Sequence, residues 1–423
     1  MQSFIDVQKD SHFPIQNLPF GVFSTAGKDS ARVGVAIGDY IVDLSVLQSA
    51  GLLSGVSGLP AGVFDQPSLN AFMSLGKSVW TATRRSLQEL LSKDESRLRD
   101  DADLRQRGLI AQKEATMHLP ITIGDYTDFY CSKEHATNVG IMFRGKDNAL
   151  QPNCRGRLHI PVGYHGRASS VVPSGTPIRR PCGQRLAGRD QPPVFSKCLK
   201  LDYELEMGWI VGTGNQLGTP MSTAEAKDNI FGMVMLNDWS ARDIQAWEYV
   251  PLGPFLGKNF GTTISNWVVT LDALEPFLVD GPSQSPTPLE YLQESSKTAY
   301  DINLEVSIKA SSSAEFETIT KSNIKYMYWS ITQQLTHHTI NGCNMRTGDL
   351  GGTGTLSGPT KESFGSLLEL SWNGTQDIVL KDGTKRQFLE DGDEVNMTGY
   401  CQSSEGWRIG FGECVGKITP ARI

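Results

Sequence analysis

The chain has 423 residues, 39% hydrophobic and 20% charged, with a net charge of −7; this fits a folded chain with an ample core and excludes disorder. The acidic balance excludes a nucleic-acid partner, since Arg84-Arg85 and Arg179-Arg180 are too short to make a basic footprint. Residues 1–7 lack the basic and apolar regions of a secretory signal, no apolar run approaches the ~18 residues of a membrane span, and seven cysteines without a Cys-x-x-Cys pair read as free thiols of a reducing compartment, the cytosol.

Length alone allows about three domains of ~150 residues. In chain order, residues 20–24 read as a strand, and 32–37 with 40–44 as two more around a tight turn at Gly38-Asp39. Leu69, Phe72, Met73 and Leu75, then Leu87, Leu90 and Leu91, recur at helical spacing. The charged stretch 93–107 reads as solvated, and a boundary falls near 118–120. Beyond it, glycine and proline punctuate short β-branched runs such as 267–271 and 302–308, the pattern of a sandwich, roll or barrel. Helices are expected at 223–230, 288–294 and 326–338.

The chemistry concentrates in residues 124–138, which hold Asp125, Asp128, Tyr130 and His135. Downstream, residues 201–207 alternate polar and apolar. On a strand, Glu204 and Glu206 then project together, with Asp202 on the same side. Taken alone this is a solvated strand edge. Joined by Asp128 and Asp238 it becomes a pocket of carboxylates, which repel one another unless a cation lies between them. All-oxygen donors select Ca²⁺, Mg²⁺ or Mn²⁺ over zinc. Asp238 ends an apolar run, where it either presents a ligand or N-caps the next segment. Asp243 and Glu248 read as solvated or capping residues.

His135 is the histidine of the carboxylate-rich segment, and imidazole is the natural base near neutral pH. Glu369 interrupts an apolar run and is the candidate to fix its tautomer. His337 and His338 end an expected helix, as partners of its dipole. Lys258 follows Gly257 without P-loop spacing, which leaves a carboxylate or a developing oxyanion as its partner. The glycine-rich turn at 351–355 suits close backbone approach to a ligand.

Long blocks then carry a resemblance. They are Asp-Tyr-Thr-Asp-Phe-Tyr at 125–130, His-Ala-Thr-Asn-Val-Gly-Ile-Met-Phe-Arg at 135–144, Pro-Val-Gly-Tyr-His-Gly-Arg at 161–167, Asn-Asp-Trp-Ser-Ala-Arg-Asp-Ile-Gln at 237–245 and Trp-Glu-Tyr-Val-Pro-Leu-Gly-Pro-Phe-Leu-Gly-Lys at 247–258. With them the chain resembles the fumarylacetoacetate hydrolase family over nearly its whole length. The resemblance implies a mainly β fold: a small SH3-like N-terminal barrel in residues 1–118, then a mixed β-sandwich roll with a few helices in 119–423. It also implies a cytoplasmic homodimer. Asp128, Glu204, Glu206 and Asp238 match calcium ligands of the family, and Lys258 and Thr262, with Asp238, a second, magnesium-type site. His135 matches the catalytic base and Glu369 its partner. Arg242, Gln245 and Lys258 match the groups that stabilise an oxyanion. Tyr130, Arg144, Tyr164, Gln245, Tyr249 and Thr355 match substrate contacts. Residues 154–158 depart from the family as a longer connection before Pro161.

The reaction so implied is metal-dependent hydrolysis of the carbon–carbon bond of 4-fumarylacetoacetate to fumarate and acetoacetate, the last step of tyrosine and phenylalanine breakdown. The rival readings are an acylpyruvate hydrolase, isomerase or decarboxylase of the same superfamily, and a non-catalytic metal-stabilised binding protein. A decarboxylase needs no water-activating dyad, and a structural ion needs no base, so His135 with Glu369 discriminates among them.

Overall fold

The computed structural model describes residues 1–150, 158–188, 191–295 and 297–422; the connection at 154–157 lies outside them. Phe20–Thr25 pairs antiparallel with Lys28–Ile37, which turns at Gly38-Asp39 into Tyr40–Asp43, as the alternation and turn residues dictate. Leu109–Ala111 and Ala115–His118 close the two edges of this five-stranded sheet. These short strands carry too few residues to show a period in the sequence. The helical span divides into Asn70–Met73 and Lys77–Leu91, parted where Gly76 takes a φ of +89°.

Several expectations are corrected. The charged stretch is not merely solvated: Ser96–Arg99 and Ala102–Gly108 are helices, capped by the Glu95 and Asp101 carboxylates, and they bury Leu98 and Leu104. The helix expected at 288–294 shrinks to a single turn, Glu290–Leu292, with no side-chain cap to start it. The one expected at 326–338 begins later, at Ile331, because Ser330 and Gln333 form a capping box there. Thr270 ends the strand expected over 267–271 by capping the helix Leu271–Leu274. The helices Lys133–Arg144 and Arg242–Glu248 were not expected, since polar and charged residues break their apolar stripe.

The larger part of the chain is built on two large sheets, with four two-stranded sheets beside them among the described residues. One has eight strands and is mixed: Tyr126–Phe129 runs parallel to Leu350–Gly352, which pairs antiparallel with Leu205–Val211, followed by Ile230–Asp238 and Thr262–Ile264. The other has five strands, led by Asn303–Lys309, Glu394–Gln402 and Arg408–Thr419. A core that includes the fully buried Trp209, Trp239, Trp329, Tyr203 and Phe411 spans both sheets. Ile230–Asp238 is buried along its entire length. Met233 and Met235 join that core. Val234 and Leu236 belong to a second core with Phe20, Phe72 and Trp80 of the N-terminal part. A strand covered on both faces reads as a continuous apolar run, which is what the sequence shows here.

The face turned to the N-terminal part also carries the acids. Ile210, Leu236, Leu350 and Tyr126 lie in the second core, and Glu206, Asp238, Gly352 and Asp128 stand an even number of positions away on the same strands. One end of this face is thus packed, and the other forms an acidic recess.

His12 joins the N-terminal segment to the second sheet. Its carbonyl accepts from the Gly410 amide at 3.0 Å, and its ring lies 6.1 Å from that of Tyr400. Burial, then the Arg408 charge, pushes the imidazole down to about 4 from 6.5, with Asp10 opposing. Between those values the unfolded chain holds the extra proton, so stability falls as pH drops through this window. His12→Gln is expected to remove on the order of 2 kcal/mol of the stability lost between about pH 7 and pH 4.5 in guanidinium melts. An unchanged loss would show that His12 is not the titrating group.

Candidate active site and metal centre

The even positions just noted bring three carboxylates together, and Glu204 adds a fourth. Asp128 comes from Tyr126–Phe129, Glu206 from Leu205–Val211, Asp238 from the end of Ile230–Asp238, and Glu204 from the bridge residue before Leu205. All are buried, and one oxygen of each lies within 4.8 Å of the others. Asp202 does not share the recess. The strand breaks at Tyr203, and Leu201–Asp202 pairs with Ser240–Ala241 instead. The Asp202 oxygens accept from Arg242 Nε at 2.9 Å and from the Leu367 and Leu368 amides at 2.8 and 2.9 Å. Asp238 caps nothing: the N-cap of Arg242–Glu248 is Ala241, with no side-chain bond.

Two cations face these acids. Lys258 Nζ lies 2.5 Å from Asp238 Oδ2 and also bonds Glu204. Arg242 Nη1 donates to Glu204 Oε1 at 2.8 Å while Nε holds Asp202. The charges are divided unevenly. Burial, then repulsion from Asp238, pushes the Asp128 carboxyl well above the usual carboxylate range, and burial, then Asp128, does the same to Glu206. Burial would raise Glu204 too, but Lys258 and Arg242 override it and hold it low. Burial works against the Lys258 ammonium, yet Asp238 and Glu204 keep it charged. Among the described residues, Glu206 and Asp128 are thus the acids of the cluster with no ion pair.

They are also incompletely bonded. Among the described residues, Asp128 Oδ1, Glu206 Oε1 and the Tyr126 hydroxyl are buried with no hydrogen-bond partner. Gly352 leaves the recess its space: a Cβ there would stand 3.0 Å from Glu206 Oε2, 3.1 Å from Tyr126 Oη and 3.2 Å from Asp128 Oδ1. Unpaired oxygens, raised carboxyls and an all-oxygen donor set fit a hard cation. Thr262 Oγ1 donates to Asp238 Oδ1, and Tyr164 Oη to Asp238 Oδ2, both at 3.4 Å.

A second cluster adjoins the first. Ser132 caps the helix Lys133–Arg144 by accepting from the His135 amide, which seats the imidazole in the first turn. His135 Nδ1 lies 2.7 Å from Glu369 Oε2. Glu369 also accepts from Asn138 Nδ2 at 2.8 Å, Ser357 Oγ at 2.8 Å and Ser366 Oγ at 2.9 Å. Burial would raise this carboxyl, but His135 and these donors hold it below its usual value. A carboxylate on Nδ1 makes that nitrogen the donor and leaves the Nε2 lone pair for a substrate-side proton. His135 lies near enough to Glu204 to bias its ionisation. The Tyr130 ring meets His135 edge-on at 5.1 Å.

Other residues singled out from the sequence lie around these clusters. Gln245 Oε1 is 3.4 Å from Arg242 Nη1. Thr355 is buried, its hydroxyl without a hydrogen-bond partner. Arg144 ends the helix of His135, where Nη2 donates to the Ala149 carbonyl at 2.9 Å. Tyr249 follows Arg242–Glu248 and is half exposed. His337 and His338 stand in the last turn of Ile331–Thr339, where burial lowers both and their rings bond Tyr291 and Thr127. Gly352 lies in the glycine-rich turn expected to allow close backbone approach, whereas Asn138, Ser357, Ser366 and Tyr126 had no role assigned from the sequence. Two of them carried a signal: Asn138 follows His135 by one helical turn, and Ser366 precedes Glu369 at capping-box spacing.

The recess and dyad define a hydrolase-type centre built on a mixed β roll. Residues 16–120 match the family described as Fumarylacetoacetase N-terminal, and residues 125–419 match Fumarylacetoacetate (FAA) hydrolase C-terminal. The chain belongs to the fumarylacetoacetate hydrolase family. It is 60% identical to the fumarylacetoacetase of Homo sapiens over 422 residues, covering 100% of this chain and 99% of that one. Against the fumarylacetoacetase of Bos taurus the identity is 59%, over 99% of each chain. The solved structure of a fumarylacetoacetate hydrolase from psychrophilic Exiguobacterium antarcticum shares the fold, with a TM-score of 0.53 at 18% identity over 96% of this chain and 100% of that one.

A hard cation filling the recess is expected to stabilise the fold. At about 100 times its dissociation constant, a divalent ion should add about 2.7 kcal/mol, read as a rise in Tm over the chelated protein. Glu206→Gln should reduce that rise, and an equal rise in both proteins would count against Glu206 as a ligand.

Proposed function

We propose that this chain hydrolyses the carbon–carbon bond of 4-fumarylacetoacetate to fumarate and acetoacetate, the last step of tyrosine and phenylalanine catabolism. The His135–Glu369 pair beside the acidic recess carries this reading, in a chain that matches fumarylacetoacetases from end to end. His135 Nε2 takes a proton from water as the water attacks the carbonyl next to the scissile bond. The imidazolium that forms is held by the Glu369 carboxylate. The oxyanion is met by Lys258, Arg242 and Gln245. As the carbon–carbon bond breaks, its electron pair passes to the acetoacetate carbon, which the imidazolium protonates. A divalent ion held by Asp128, Glu204, Glu206 and Asp238 would supply Lewis-acid polarisation of the diketo oxygens.

The ion assigned to this recess is Ca²⁺, with a Mg²⁺-type position beside Asp238 and Thr262. The Lys258 ammonium has no lone pair to offer and repels a cation, so Lys258 joins the latter through its backbone carbonyl oxygen. Tyr130, Arg144, Tyr164, Gln245, Tyr249 and Thr355 form the substrate surface. Arg144 suits a terminal carboxylate, which its planar fork binds at both oxygens. The chain divides into an N-terminal SH3-like unit, 1–118, and a catalytic unit, 119–423. It works as a homodimer in the cytosol. Exposed Trp247, Val250, Leu252, Phe255 and Phe195 support association through an apolar surface, and the six cysteines among the described residues, all free, support a reducing compartment. No helix among the described residues is long and apolar enough to cross a membrane.

His135→Ala is expected to lower kcat on fumarylacetoacetate about 10²-fold or more, the usual scale for a general base, while the Ca²⁺-dependent rise in Tm persists. Turnover near the wild-type rate would exclude His135 as the base, and loss of the rise would point to a ligand role instead. By light scattering the protein should have about twice the mass of one chain. A value near 46.3 kDa would refute the homodimer.

A further inference from the structure

Glu248 is the last residue of the helix Arg242–Glu248, where a carboxylate meets the negative end of the helix dipole. The helix gives it no reason to be acidic. The loop that follows does. Glu248 Oε1 accepts from the Phe255 and Gly257 amides, both at 2.7 Å, and Oε2 accepts from the Leu256 amide at 3.0 Å. Three consecutive N–H groups converge on one carboxylate, and the next residue is Lys258.

Two more contacts tie this point to the helix. The Gly257 carbonyl accepts from the Ala241 amide at 2.8 Å. A Cβ at Gly257 would stand 2.7 Å from Gln245 Cβ, so only glycine permits the approach. The helix carries Arg242 and Gln245, and the clamped loop ends at Lys258. Between them, Tyr249, Val250, Leu252 and Phe255 are exposed, with Leu252 at 95%. Within one chain the loop is held by its two ends, by the Gly253 amide on the Tyr249 carbonyl at 2.7 Å, and by this carboxylate.

We propose that Glu248 is a positioning residue of the active site. By gathering the amides of Phe255, Leu256 and Gly257, it fixes Lys258 against Glu204 and Asp238 in register with Arg242 and Gln245. The inference rests on the hydrolytic reading above and adds to it the device that aligns the groups facing the oxyanion. Glu248 touches neither the substrate nor the recess; it acts through Lys258.

The test is a double-mutant cycle on the full chain with fumarylacetoacetate. Glu248→Ala should lower kcat about 10–100-fold, the scale of a ~1 Å misplacement, with KM changed less than about threefold. Glu248→Gln, which keeps one oxygen for the amides, should lose less. Glu248→Ala added to Lys258→Met should cost less than about twofold beyond Lys258→Met alone, because both remove the same aligned ammonium. A near wild-type rate for Glu248→Ala, or losses that multiply in the double variant, would overturn the proposal. If Glu248→Ala does not fold, Glu248→Gln enters the same cycle with the same two readings. Hydrogen exchange gives a readout apart from turnover: the amides of 255–257 should exchange about tenfold faster or more in the variant. Equal exchange would overturn the clamp. Wild-type inactivity on fumarylacetoacetate would overturn the hydrolytic reading, an outcome distinct from an active enzyme indifferent to Glu248.

Discussion

Four carboxylates whose oxygens lie within 4.8 Å of one another, all buried, are the constraint around which this chain is organised. Each ionised acid taken from water without a partner costs on the order of several kcal/mol, and like charges at this range add to it. The fold answers with two fixed cations. Lys258 bridges Glu204 and Asp238, and Arg242 bridges Glu204 and Asp202. Both cations favour one side of the cluster. The other side, Asp128 and Glu206, keeps raised carboxyls and unbonded oxygens. This asymmetry separates the part of the recess that the protein neutralises itself from the part suited to a cation taken from solution.

The strands that deliver these acids must satisfy two environments along one face. Ile210, Leu236, Leu350 and Tyr126 pack beneath the N-terminal part, while their neighbours at even spacing enter the recess. The N-terminal sheet therefore does more than add mass, because it dries the apolar end of the face whose other end is acidic. Gly352 belongs to the same logic. It sits where any side chain would press on Glu206, Tyr126 and Asp128. The strand gives up a packing group there so that the oxygens keep their space.

Much of this was legible in the sequence, for reasons that differ by element. Glu204 and Glu206 share a face because a strand has a period of two, and that needs no tertiary information. Asp202 should have shared it by the same rule. It does not, because the strand breaks at Tyr203 and Arg242 draws the carboxylate aside. His135 and Glu369 were both singled out, but their contact joins residues 234 positions apart, which no local pattern encodes. The helices Lys133–Arg144 and Arg242–Glu248 were missed because charged and polar residues occupy their faces. Glu248 was read as a capping or solvated residue. The three amides it gathers lie seven to nine positions downstream, beyond the reach of any capping rule. The N-terminal hairpin, by contrast, is wholly local, and its register follows from Gly38-Asp39.

The surroundings of the His135 imidazole follow from the same donor chemistry. Imidazole is a good metal ligand, and His135 lies beside the acidic recess, so something must keep it from coordination. Glu369 does this from one side by holding Nδ1, and Ser357, Ser366 and Asn138 in turn hold Glu369. The oxygen-only recess does it from the other side, since the hard ions it suits prefer carboxylate over imidazole. Glu369 stays ionised at the cost of burial because three neutral donors and the histidine share its charge. A softer donor among the four acids would weaken that division, by favouring an ion for which a nearby imidazole competes. The all-carboxylate composition of the recess and the crowded surroundings of Glu369 are thus two parts of one arrangement that leaves Nε2 free to accept a proton.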